Sequence, residues 1–512
     1  MKNQVKYSFR LFLALIVCSG LGSCGEDEPP VFSAPELSLA GSENILVKVG
    51  EVIPVTINFT AEGGAKELVV YRDGGVLEVV PLTPEATSVT YTNQTVPLTA
   101  LEGEQFQYEF SVVNTQDLES SRVGLTVSAR QYDLVTIGGQ ELYEVFPPED
   151  GVIPSGTELR FVTGRNYLFR GSFFLAAGNT FTVQSGVTLY MDSEAESPIT
   201  IELGEGSTAA VVGTASSPVV MTSSATLGGT PTAGDWNRFR LNGSVNSQIR
   251  YLRTEFANEG LRVSDTDDSN TIEYVQVMNT GEEGFYITNG NVNLKYLYSL
   301  NAGTGGFRIG DNYEGNLQFL IAQLSERFDE ATELEIRETA KPTISNVTLI
   351  GPGVDTQNTH GVRLRSASEG KIYNAIVASF PRRGLRMNDN VVVNGLEGPT
   401  VFAYSFIFDV PTDPYRDDTS NGNPFRGFLD ENGEFQNPFF NNVTGFEEGN
   451  PILTAIPGIG TNAFIPDSEV VSDFNPTALG SFFTAAPYVG AVTSEQNDWT
   501  RGWTKNPDGS IR

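Results

Sequence analysis

The stretch from His360 to Ser366, HGVRLRS, holds the only histidine in 512 residues, beside Arg363 and Arg365 in a chain of net charge −31. A histidine can serve as a general base, but nucleophilic catalysis also needs a Ser or Cys for it to activate and a group to orient it. No such partner is evident in the sequence. The arginines offer another chemistry, because a guanidinium is a permanently charged fork that grips carboxylate, sulfate or phosphate through paired hydrogen bonds. The stretch is therefore a reacting centre, an anion-binding patch or one unit of a repetitive scaffold.

The surrounding sequence favours the scaffold. Short apolar tracks beginning at Ile249, Ile272, Leu294, Leu317, Ile344 and Ile372 recur at intervals of 23, 22, 23, 27 and 28 residues. A second track keeps step: GLRV from Gly260, GFYI from Gly284, GFRI from Gly306, ELEI from Glu333, GVRL from Gly361 and GLRM from Gly384. Such units cannot bury an apolar face alone, whereas stacking successive copies does. Two β-type strands per period imply a parallel β-helix with coils ~4.8 Å apart.

Alternation along each strand turns Val362 and Leu364 inward, so Arg363 faces out. It joins a column of Arg262, Tyr286, Arg308, Glu335, Arg363 and Arg386, with Arg337 and Arg365 at the next outward position. His360 aligns with Glu259, Glu283, Gly305, Thr332 and Arg383, a variable position expected to meet solvent. Arg363 and Arg386 are neighbours with no acid between them; at ~5 Å such charges repel by about 1 kcal/mol in water and about 3 kcal/mol at an effective dielectric of 20. Two readings remain open: a solvated charge ladder neutralised by Glu333, Glu335 and Glu369, or a stripe that captures a long anionic ligand. The ligand-binding candidates are Arg262, Tyr286, Arg308, Arg337, Arg363, Arg365 and Arg386. A further column, Tyr251, Tyr274, Tyr296 and Phe319, is a stacked scaffold ladder or a platform for sugars.

Other residues set the frame. Lys2, Lys6 and Arg10 precede the apolar run Leu11–Val17 and then LGSC, ending at Cys24, a secretory signal too short to span a membrane. LGSC resembles the lipobox of bacterial lipoproteins, which implies that Cys24 carries lipid, although Gly22 and Ser23 depart mildly from that pattern. Cys18 would leave with the signal, so no intramolecular disulfide is expected. GEDEPP behind Cys24 resembles the surface-export signal of Bacteroidetes outer-membrane lipoproteins. The negative net charge argues against a nucleic-acid partner, whose phosphates demand cations. Residues 1–23 thus read as signal peptide and 24–34 as an acidic tether. Alternating strands split by turn residues over 35–132 argue for an antiparallel sandwich, and ELVVYRDGG resembles an Ig-like domain.

TVQSGVTLYM (Thr182–Met191), GDWNRFRLNG (Gly234–Gly243) and YVGAVTSEQNDWTRGWTKNP (Tyr488–Pro507) resemble β-helical lipoproteins of Bacteroidetes. That resemblance implies that residues 133–512 form a right-handed coil with a C-terminal cap. The expected fold class is all-β: an N-terminal Ig-like sandwich followed by a right-handed parallel β-helix. The architecture also resembles pectate lyases and polygalacturonases, whose chemistry needs carboxylates. Turn residues Asp265, Asn289, Asp311, Glu338, Ser366 and Asp389 could supply them, as could the acidic stretch Val263–Thr271, yet Asp and Asn are also what turns use. The polygalacturonase motifs are missing. Asp413–Phe425, rich in Pro and Asp, reads as a loop inserted in a coil. Expected is a non-catalytic binding module that captures an anionic polysaccharide or assists an outer-membrane nutrient receptor, anchored to the membrane through Cys24. No cofactor or metal is expected. A lyase or hydrolase, and a scaffold docking a membrane partner, are the alternatives.

Overall fold

The β-branched and aromatic alternation that marks the chain as strand-forming is realised in the computed structural model, in which, among the described residues, the helical pieces are single 3-10 turns such as Ser224–Leu227. Residues 31–325, 330–353, 358–391, 398–419, 443–445, 464–466 and 471–512 are described. The signal, the lipidation residue Cys24 and the start of the acidic tether lie outside them.

The chain divides into two compact units, the first comprising the residues before Leu46 together with Val52–Thr95 and Gln105–Ser128. In it, Glu36–Leu39, Val55–Thr60 and Ser88–Tyr91 form one antiparallel sheet. Ala65–Arg72 pairs with Gly75–Pro81 and with Gln105–Asn114 in a second. Tyr91 of one sheet meets Phe110 of the other edge-on at 6.0 Å. Ile57, Leu68, Val70 and Val112 are fully buried around that contact.

The second unit, mainly Ala129–Arg512, is a parallel coil. Its early turns carry three short strands each: Glu158–Phe161, Tyr167–Phe169 and Phe173–Leu175 stack on Thr180–Val183, Thr188–Met191 and Thr200–Leu203. From Gln248 the first two strands fuse into one bent strand, giving Gln248–Glu255, Thr271–Thr280, Leu294–Ala302, Asn316–Gln323, Thr343–Ile350 and Lys371–Ala378. Ile249, Ile272, Leu294, Leu317, Ile344 and Ile372 are register partners in turn and all lie in the core.

The bend falls at Tyr251, Tyr274, Tyr296 and Phe319, each with φ between 48° and 62°. Left-handed backbone is costly for an aromatic residue. Stacking offsets the cost: successive rings lie 4.6, 4.3 and 4.9 Å apart, within 9° of parallel. In later coils Asn346 and Asn374 take the corner with φ of 57° and 55°. The C-terminal residues run back along this flank. Trp503 caps Tyr251 edge-on at 5.6 Å and Trp499 caps Tyr296 at 5.5 Å. The amide of Asn346 donates to the carbonyls of Ala486, Tyr488 and Gly490 at 3.2, 2.8 and 3.3 Å.

The opposite face is built from Arg238–Asn242, Leu261–Thr266, Glu283–Gly290, Gly305–Gly310, Thr332–Ile336, His360–Leu364, Arg383–Asp389 and Asp413–Thr419, all parallel. Asp413–Thr419, expected as an inserted loop, is thus a strand; its partner supplies the hydrogen bonds that its Pro and Asp content seemed to forgo. Residues 420–425 lie outside the described set. A glycine opens the second track of five coils because the two sheets nearly touch there. A Cβ on Gly260 would sit 1.9 Å from Cγ1 of Val277, and one on Gly361 would sit 2.3 Å from Cγ1 of Val377.

Two stability tests follow from this packing. Gly260→Ala should destabilise the chain by about 1–3 kcal/mol through overpacking, read as a lower urea midpoint. Asn346→Ala should cost a similar ~1–3 kcal/mol by orphaning three carbonyls, and limited proteolysis should then release the C-terminal residues first.

Candidate functional site

Strand register places the outward column side by side. Glu202, Arg240, Arg262, Tyr286, Arg308, Glu335, Arg363, Arg386 and Arg416 are partners in nine consecutive coils. Sequence reasoning did not extend the column to Glu202, Arg240 and Arg416, because the alignment rested on the Gly-initiated track. Arg337 and Arg365 follow their strands and flank the column. Ser264, Thr288 and Asn388, which hold the equivalent sequence positions in other coils, are buried.

The guanidiniums are woven through carboxylates. Glu335 is the hub: Arg363, Arg365 and Arg337 approach its two oxygens at 3.7, 3.5 and 3.6 Å. Arg386 and Arg416 share Asp418 at 2.8 and 2.7 Å. The expected Arg363–Arg386 repulsion is relieved in this way, with Nε of Arg363 also donating to Asn388 at 3.0 Å. Arg262 and Arg308 bracket the ring of Tyr286 at 4.4 and 4.8 Å, a cation–π sandwich. Arg308 is paired with Glu283.

Of the three acids expected to neutralise the ladder, only Glu335 does so. Glu369 pairs with Lys341 at 3.4 Å. Glu333 is fully buried instead, as is its neighbour Leu334, so the alternation does not hold at this position.

A pocket of about 230 Å³ opens over the hub, lined by Glu283, Thr304, Arg308, Thr332, Glu335, Arg363 and Arg365. Sequence reasoning missed Glu283, Thr304 and Thr332 as lining residues. The available signal was the 27-residue spacing from Leu317 to Ile344, which marks the coil that carries extra chain at this spot. Glu259, Glu282 and Glu283 bring carboxylate oxygens within 4.8 Å of one another. Arg238 and Arg262 already hold Glu259, and Arg308 holds Glu283, so the cluster is internally neutralised. Burial raises the Glu259 carboxyl above its ordinary range, with Arg238 and Arg262 opposing and Glu283 and Glu282 adding to the rise.

His360 pairs in register with Thr332 and Arg383 and is buried, not solvent-facing as expected. Burial, then Arg383, Arg386, Arg363 and Arg382, push its imidazole down to about 3. It is neutral at any physiological pH and reports the positive potential around it. Arg337 is lowered by burial and by Arg308, then partly restored by Glu335.

Asp265, Asn289, Asp311, Glu338 and Ser366 occupy left-handed corners with φ of 46° to 55°, the conformation Asp and Asn tolerate best. Asp267 accepts from the backbone and hydroxyl of Ser269 at 3.1 and 2.5 Å, an Asx turn. The aromatic column is covered by Trp499 and Trp503 and offers no open stacking surface along its capped edge.

A pectate lyase from Pectobacterium carotovorum aligns with 81% of this chain and 98% of its own at 12% identity and a TM-score of 0.12. A pectate lyase from Erwinia chrysanthemi, solved with tetragalacturonic acid, aligns over 66% and 89% at 10% identity and a TM-score of 0.15. Fibronectin(III)-like modules of a Clostridium thermocellum protein align with 20% of this chain and 50% of theirs at 16% identity and a TM-score of 0.16. No curated protein matches the chain. The family described as a pectate-lyase-like β-helix domain matches residues 151–249 and 247–432, more than half of the sequence. The chain belongs to that family of pectate-lyase-like β-helix domains.

Proposed function

We propose that this protein is a lipid-anchored outer-membrane lipoprotein whose β-helix holds an anionic polysaccharide along the arginine column without transforming it. The observation that carries the reading is the alignment of Arg363, Arg386 and Arg416 in consecutive coils, with Arg337 and Arg365 beside them. The fold fits a polysaccharide-related role. A polymer bearing carboxylates or sulfates would lie along the coil axis and exchange places with Glu335 and Asp418 as partner to the guanidiniums. Because each cation begins with an internal partner, capture is an exchange and should be weak and strongly salt-sensitive. The acidic remainder of the surface opposes approach elsewhere, which confines a polyanion to this face.

Attachment rests on the N-terminal sequence alone, with Cys24 as the lipidated residue and the acidic tether holding the module outside the membrane, beside a nutrient receptor or another membrane partner. In cells fed radiolabelled palmitate, the wild-type chain should incorporate label and Cys24→Ser should not. Equal labelling would remove the anchor.

A lyase or hydrolase is the second reading, favoured by one observation: Glu283, Glu335, Arg308 and Arg363 share the pocket. Paired carboxylates serve glycosidases and arginines serve uronate chemistry. Polygalacturonate and heparin separate the two. Simple capture predicts retention at 20 mM salt ~tenfold stronger than at 200 mM, loss in Arg363→Ala/Arg386→Ala, and unchanged ligand on recovery. Binding untouched in the double variant would dismiss the column, and new reducing ends or ultraviolet-absorbing unsaturated products would select the enzyme.

A further inference from the structure

Glu333 stands where Gly260, Gly284, Gly306, Gly361 and Gly384 stand in neighbouring coils. It is fully buried, and among the described residues neither carboxylate oxygen has a hydrogen-bond partner. Its Oε2 lies 2.9 Å from where a Cβ on Gly306 would be, beside Ala322. The same strand, Thr332–Ile336, contributes Thr332 and Glu335 to the pocket from its outer side. A five-residue strand therefore carries both a wall of the binding pocket and an orphan acid pressed against the core.

We infer that Glu333 is a pH-sensitive latch on the pocket: its carboxyl fits inside the coil only when neutral, and ionisation drives strand Thr332–Ile336 outward, displacing Thr332 and Glu335. The elements packed against it offer no compensation. Gly306 and Ala322 meet the carboxyl directly, and Gly361 and Leu349 continue the columns on either side. Of the titratable groups of those strands, Arg308, Glu335 and Arg363 line the pocket on the outer side, and His360 is buried beside Arg383; among the described residues none of them hydrogen-bonds to the Glu333 carboxylate. Burial alone, with no charged neighbour contributing, raises the carboxyl from 4.5 to about 8. An uncompensated charge is costly in that position.

The sign is fixed by linkage. A carboxyl raised in the folded state supports the closed strand fully below about 4.5 and loses that support as pH climbs through about 8. The latch thus opens in mildly alkaline conditions. As regulation of the pocket it rests on the proposed glycan capture, but its structural part does not.

The test has two arms, both on the full chain at pH 7 and pH 9. Hydrogen–deuterium exchange of residues 332–336, corrected for the intrinsic rate, should rise about tenfold in the wild type and stay flat in Glu333→Gln. Glu333→Gly, matching the other coils, serves if the amide variant does not fold. Polygalacturonate retention should fall in the wild type over the same interval, in proportion to the closed fraction that is lost, and not in the variants. Parallel exchange curves for wild type and variants would overturn the latch. If polygalacturonate is retained by none of the proteins at either pH, glycan capture fails while the exchange arm still decides the latch.

Discussion

Everything in the second unit depends on in-register stacking of parallel coils. One coil presents a narrow apolar strip that water penetrates from both sides, whereas a stack shares a continuous core. Ile249, Ile272, Leu294, Leu317, Ile344 and Ile372 form one such line, and each is sealed by the next. The same constraint governs the outside. A residue type repeated at one strand position becomes a column, whether stacked rings at the corner or guanidiniums on the opposite face.

A column of like charge is electrostatically unfavourable, and the chain resolves it in two ways. Acids enter the column or its flanks, as Glu335 and Asp418 do, each serving more than one arginine. Where no acid intervenes, the π face of Tyr286 separates Arg262 from Arg308. What results is a partly neutralised cationic strip in a strongly acidic chain, with His360 held neutral first by burial and then by the neighbouring arginines. That combination suits reversible exchange with an external polyanion better than tight capture, because every new contact displaces an existing one.

The strip was legible in the sequence because both tracks share one period, so Arg262, Arg308, Arg363 and Arg386 could be aligned without coordinates. The inward set was legible for the same reason. Strict alternation failed at Glu333, which is buried together with the next residue, Leu334; Glu333 therefore looked like a surface partner. Asp418 was hidden because the Pro and Asp content of Asp413–Thr419 signals a loop, and parallel pairing with Arg383–Asp389 overrode it. The burial of His360 and the covering of the aromatic corner depend on neighbours one coil, or some 200 residues, away, which no local pattern contains.

The cationic strip as the ligand-facing surface is the claim that most needs measurement. Hydrogen–deuterium exchange over the whole chain, with and without polygalacturonate at low salt, examines it directly. Protection confined to the strands from Leu261–Thr266 to Asp413–Thr419 is the predicted footprint. Protection instead along the flank covered by Trp499 and Trp503, or spread evenly over both faces of the coil, would contradict it.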